Sequence, residues 1–172
     1  MIKKILVIIF FLSFFQNIYA EEKLAVVDID YLINNSKAGK YIQTTVKKIN
    51  DKSVTEFKKK EKEFQKKQTE LISQKNVLSK EEFNKKASDL NKNIKEYNLN
   101  KKKVIGESNQ KKSKAIGELL AKINQLLVEY AEQNKVSFII DKKNIILTKT
   151  ESEITNEIFE ILNKKYDKIK IN

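Results

Sequence analysis

The residues able to do chemistry in this chain are lysines and carboxylates. Its 172 residues include 35 basic residues, all lysine, against 23 Asp plus Glu, with no His and no Cys. Without His or Cys, the usual transition-metal clusters and every Ser–His or Cys–His nucleophile arrangement are excluded. No disulfide can hold the fold together. Gly39-Lys40 has the form of the end of a phosphate loop, but no glycine precedes it, so no such loop is present. Lysines and carboxylates remain as candidate catalysts. They are scattered along solvated helix faces with no convergent pair, so the chain reads as a non-enzyme that needs no cofactor or metal.

What remains is long-range electrostatics. Dense lysine clusters stand at Lys58-Lys59-Lys60, Lys66-Lys67, Lys85-Lys86 and Lys101-Lys102-Lys103. A field of that kind steers acidic partners toward the surface. The plainer reading of any one lysine is an ordinary solvated helix face.

These clusters must be positioned by the long proline-free stretch 40–133. Apolar residues recur there at steps of three and four, the pattern of a thin coiled-coil seam. The first half carries Ile42, Val46, Ile49, Phe57, Phe64 and Leu71. The second carries Phe83, Leu90, Tyr97, Ile105, Ala115, Leu119, Ile123 and Leu126. An antiparallel hairpin turning near residues 75–79, centred on Val77, pairs Leu71 with Phe83, Phe64 with Leu90, Phe57 with Tyr97 and Ile49 with Ile105. Ser79 and Glu82 form a capping box that starts the second helix at the same place. Ser53, Lys60, Lys101 and Ser108 interrupt the seam. Phe57, Phe64, Phe83 and Tyr97 read first as seam packing, and second as contacts for a bound protein when the arm opens.

Residues 1–20 read as an export signal: Lys3 and Lys4, an apolar run over Ile5–Phe15, then a small-residue exit at Ala20. The run is shorter than the roughly 20 residues of a membrane span. No cysteine follows it for lipid attachment. Removing it lowers the net charge from +12 to +10, and the stretch 40–133 alone, with 23 Lys against 13 acidic residues, carries +10.

The flanks, 21–39 and 134–172, read as one small body. Leu24, Val26, Val27 and Ile29 mark a strand covered on both faces. Asp30 is placed to cap a short helix over residues 31–33, with 34–39 interrupting before the long helix. Val136, Phe138, Ile139 and Ile140 mark a second strand. Ile145 and Leu147 mark a third, hairpinned to it across residues 142–144. A last helix opens at Ser152 and carries Ile154, Ile158, Ile161 and Leu162. The fold class is therefore α+β, a small β body with a long antiparallel helical arm. A body this small and an arm with one thin seam call for other copies of the chain to cover the strand edges.

The order of these segments resembles the Skp (OmpH-like) periplasmic chaperones. Leu24-Ala-Val-Val-Asp28 is similar to the family's opening strand, and Ile33 with Ser36, Gly39 and Lys40 to its I-x-x-S-x-x-G-K pattern. Val136–Asp141 resembles its later strand, and Glu153-Ile-Thr155 its terminal D-I-T. The resemblance covers the chain after the signal segment. The absence of Arg is a departure, and no Arg-based anion site is carried over. The resemblance implies a jellyfish-like homotrimer with an oligomeric β core, and arms enclosing a cavity. It also implies an ATP-independent holdase for unfolded outer-membrane β-barrel proteins in the periplasm. Competing readings of the same lysines are contact with anionic lipid or lipopolysaccharide, adventitious binding of nucleic acid, and a purely structural coiled coil.

Overall fold

The computed structural model describes residues 22–171. The segment read as an export signal lies outside the described residues. The elements are β1 (Lys23–Val27), α1 (Ile29–Asn35), α2 (Lys37–Ser73), α3 (Lys80–Asn134), β2 (Val136–Asp141) and α4 (Thr155–Lys165). Two single-turn 3₁₀ segments, Lys142–Asn144 and Thr150–Ser152, lie between β2 and α4.

β1 and β2 form a parallel pair, Leu24 opposite Phe138 and Val27 opposite Asp141. Parallel neighbours need a long crossover connection, which α1, α2 and α3 supply. Ala25, Val26 and Val27 are buried. The far edge of β1 is closed in part by Glu153, which bridges to Val26, and by the Ile154 amide, which donates to the Val26 carbonyl at 2.9 Å.

The expected third strand does not form. Asp141 instead caps a 3₁₀ turn by accepting from the Lys143 amide, and 145–149 runs without regular structure. A third strand needs a free edge running back along β2, and the turn carries the chain away from it. Ile146 and Leu147 are left 106% and 90% exposed.

The corner between α1 and α2 is tighter than the sequence suggested. Asp28, not Asp30, caps α1, its Oδ1 accepting from the Tyr31 amide at 2.7 Å. A single residue, Ser36, separates the helices, and its Oγ accepts from Gly39 at 3.1 Å. A Cβ on Gly39 would overlap the Ile33 carbonyl. The Gly-Lys pair is thus explained by helix packing, and α2 begins at Lys37 rather than Lys40.

At the base of the arm, Ile42 and Val46 pack against Ala115, Leu119, Ile123 and Leu126. Ile158 and Leu162 of α4 complete this core, and each side chain so buried contributes roughly 1.5–3 kcal/mol. The last helix starts at Thr155 rather than Ser152; Ile154 is buried just before it and Ile161 is half-buried. It is tied down by Asn163, which accepts from the Lys37 amide at 2.7 Å, and by Lys165, which reaches Glu129 at 2.7 Å. α3 ends at Lys135, whose left-handed backbone (φ 54) redirects the chain into β2.

Candidate functional site

The arm is the candidate site, because it carries the excess charge and a seam of half-buried apolar residues. Two helices are held antiparallel by a turn over 74–79. The capping box is formed: the Glu82 amide donates to Ser79 Oγ at 3.2 Å, and the Ser79 amide to Glu82 at 3.1 Å. The Ser79 hydroxyl, donating to the Glu82 carboxylate at 2.9 Å, and then the Ser79 amide hold the Glu82 carboxyl below its usual range.

The aromatic seam is built around Tyr97. Its ring lies 6.2 Å from Phe57 and 5.4 Å from Phe64, measured between centroids. Tyr97 therefore packs between two layers of α2 rather than opposite Phe57 alone, as a knob fills a hole. Its single hydroxyl proton is shared between the Phe57 carbonyl at 3.2 Å and Glu61 at 3.1 Å. Lys101, one turn on, reaches the same Glu61 oxygen at 2.6 Å. The Lys101 bond, then the Tyr97 bond, depress the Glu61 carboxyl. Burial, then Glu61, raises the Tyr97 hydroxyl, and Glu61 raises Lys101.

With this clasp the expected meeting of Phe57 with Tyr97 is made, and Tyr97 reaches Phe64 as well. Nearer the body, Ile49 is half-buried and no tight Ile49–Ile105 layer is buried. Ser108 instead donates to Asn50 at 2.6 Å and is itself buried, while Ile105 turns outward, 47% exposed. Of the remaining seam residues Phe64 alone is buried; Ile49, Phe57, Leu71, Phe83, Leu90 and Tyr97 are half-buried.

Between the Asn50–Ser108 bond and the Glu61–Lys101 bridge the helices leave a groove of about 380 Å³. Val54, Phe57, Val104 and Ile105 line it, with Asn50, Lys58 and Asn109 at its margins. The expected site did not include Val54 or the two asparagines. The signal available was the interruption of the seam at Ser53, Lys101 and Ser108.

The lysine clusters do not converge on one point. Lys58, Lys59, Lys60, Lys66, Lys67, Lys85, Lys86, Lys102 and Lys103 are exposed along the arm, and only Lys101 is half-buried. Lys60 pairs with Glu63 at 3.0 Å, while Lys66 with Glu70 and Lys103 with Glu107 are looser. Among the described residues, Lys58, Lys59, Lys67, Lys85, Lys86 and Lys102 make no ion pair. Every resolved carboxylate shift is downward and every resolved lysine shift upward, so these groups stay charged near pH 7.

The body residues separate into two sets. Val26, Val27 and Val136 are buried in the chain's own core, and Ile29, Ile139, Ile140 and Ile145 are half-buried. Leu24, Phe138 and Leu147 stay exposed, at 40%, 55% and 90%. The outer edge of β2 has no partner strand among the described residues.

No curated protein matches the chain in sequence. A solved structure does match it in fold. It is the crystal structure of a Caulobacter crescentus protein described as an outer membrane chaperone (OmpH-like), with TM-score 0.82, 14% identity, and coverage of 89% of this chain and 90% of that one. The sequence model of one family, Outer membrane protein (OmpH-like), matches residues 23–162, which takes in β1, the whole arm, β2 and most of α4. The chain belongs to the OmpH-like outer membrane protein family.

Proposed function

We propose that the protein is a periplasmic holdase that binds unfolded outer-membrane β-barrel proteins without ATP and keeps them from aggregating. The observation that carries this reading is the arm. It is a two-helix lever in which α2 runs about 55 Å and the longer α3 roughly 80 Å at about 1.5 Å per residue, with net charge +10 over 40–133 and an apolar seam left partly open. Family membership and the described role of the similar Caulobacter crescentus protein support it.

Holding follows from three physical steps. The lysine field attracts an acidic unfolded chain over a Debye length of about 8 Å and raises its encounter rate. Half-buried Phe57, Leu71, Phe83 and Leu90, with exposed Val54 and Ile105, then offer many weak apolar contacts. No single contact fixes a conformation, so release needs only a better apolar sink. Assembly into a homotrimer fits the same reading. It would cover the open edge of β2 with Phe138, Ile146 and Leu147, surfaces that a lone chain exposes to water.

The direct experiment dilutes a urea-unfolded outer-membrane barrel protein into excess mature chain and follows light scattering without nucleotide. Scattering should fall to baseline at about one trimer per client. Scattering equal to that of the client alone would remove the holdase reading.

A second reading, contact with anionic lipid, is favoured by the apex of the arm. Ile72 and Val77 are 68% and 85% exposed there, close to Lys75 and Lys80. Apolar residues beside lysines suit the interface of an anionic bilayer. Co-sedimentation with phosphatidylglycerol vesicles but not with phosphatidylcholine vesicles would support it. Equal recovery in the two pellets would count against it.

A further inference from the structure

We propose that the groove between α2 and α3 is a docking slot for a short extended segment of an unfolded chain, one whose apolar and polar side chains alternate. This inference rests on the holdase reading and names the place on the arm where holding begins.

The groove is preformed. At the end nearer the body, Ser108 Oγ and Asn50 Oδ1 tie the helices at 2.6 Å. At the end nearer the tip, Lys101 and Glu61 tie them at 2.6 Å, and the Tyr97 hydroxyl holds the Phe57 carbonyl at 3.2 Å. Between these bars the facing residues, Ser53 and Val104, are too small to fill the space. The helices cannot close over it without breaking a bar. Such ties are what keep an apolar groove open instead of collapsed.

Its dimensions select the occupant. Asn50 to Glu61 spans about 16 Å of helix at about 1.5 Å per residue. A strand advances about 3.3 Å per residue, so four or five extended residues fit. Side chains on a strand alternate in direction, so two or three of them face the floor made by Phe57 and Val104. The volume, about 380 Å³, lies within the range of sites that hold small ligands.

The margins fit the same occupant. Asn50 and Asn109 offer side-chain amides to a peptide backbone, which in an extended segment has no internal hydrogen bonds. Glu61 is neutralised by Lys101, while Lys58 makes no ion pair, so the rim favours a carboxylate on the outward side of the segment. A folded protein seldom presents four bare extended residues. The slot therefore selects the unfolded state by geometry, and outer-membrane strands, alternating along their whole length, by pattern.

The chain has no cysteine, so an Ile105→Cys variant can carry one polarity-sensitive dye at the lip of the groove. A Val77→Cys variant carries the same dye at the apex, about 40 Å away along α3. Each labelled protein is titrated with a synthetic octapeptide alternating tyrosine with aspartate or serine, and with a block-order peptide of the same composition. The alternating peptide should shift the dye emission to the blue at position 105 only, and bind at least ten-fold tighter than the block-order one. Adding Val54→Lys, at a site already 47% exposed, should abolish the shift while leaving helicity unchanged. No shift at 105, equal shifts at both positions, equal affinity for the two peptides, or a concentration-dependent shift without peptide (a second copy in the groove) would each overturn the proposal. The same labelled protein is tested for suppression of client aggregation. Suppression without a dye shift removes the slot and leaves the holdase; a dye shift without suppression leaves the slot and removes the holdase.

Discussion

Phe64→Ala tests whether the arm is held by its aromatic layer separately from the body. Phe64 is 8% exposed, the one buried aromatic on the arm, and packs 5.4 Å from the Tyr97 ring. Truncating a buried Phe costs about 3–5 kcal/mol in a full core. A two-helix layer offers fewer neighbours, so the lower end, about 3 kcal/mol, is expected. At 1.4 kcal/mol per factor of ten, that is on the order of 100-fold in the local opening equilibrium. The base of the arm is pinned independently by Ile42, Leu119, Ile123 and Leu162, all at 1% exposure or less. Hydrogen exchange read by mass spectrometry should therefore show protection falling about 100-fold in peptides spanning 57–97. Peptides spanning 115–126 should be unchanged. Equal loss in both regions would mean that arm and body unfold as one unit, and no loss in the first would mean that the seam contributes nothing.

Other outcomes follow from single contacts. Urea midpoints should be level from about pH 5.5 to 9.5, because the chain has no His to titrate there. Glu61 is depressed by Lys101 and Tyr97, so its contribution is present above 4.5 and is lost as pH falls through the lowered value. Lys101 is raised by Glu61, so its contribution is present below 10.5 and is lost as pH rises through the raised value; a step in the midpoints near pH 6–7 would contradict both. Gly39→Ala should lower stability by about 2–4 kcal/mol, since the new methyl meets the Ile33 backbone, whereas Gly106→Ala in open space should be neutral or stabilising by thermal melting. Lys135→Gly should stabilise by about 1 kcal/mol in the same melt, relieving a left-handed lysine at a helix end. Changing Lys66, Lys67, Lys85 and Lys86 to Glu should slow stopped-flow client capture about ten-fold at low salt, with the difference vanishing near 1 M; equal rates at low salt would remove the steering role.

The hairpin was legible in the sequence because two unrelated signals, the seam spacing and the Ser79–Glu82 box, place one reversal. Its register was legible in part: Phe57 does meet Tyr97, but the packing of Tyr97 on Phe64 as well was not foreseen. Spacing alone cannot say whether Tyr97 sits opposite Phe57 or between Phe57 and Phe64. That choice is made by ring packing and by Glu61 and Lys101, which a hydrophobic pattern treats as mere surface. The groove is a consequence of that packing, so it was not foreseen either, although the breaks at Ser53 and Ser108 mark where the seam fails. Ile145–Leu147 misled for a different reason. β-branched composition reports a preference for pairing, and within one chain the turn capped by Asp141 leads the segment away from any edge. The same exposed residues are what a trimer would cover.

Native mass spectrometry most directly tests the claim that these arms enclose an unfolded chain. A urea-unfolded outer-membrane barrel protein is diluted into excess mature chain at physiological salt, and the soluble particle is weighed. A single particle of three copies with one client is the expected result. Client aggregated beside free protein, or a client bound by one isolated copy, would contradict it.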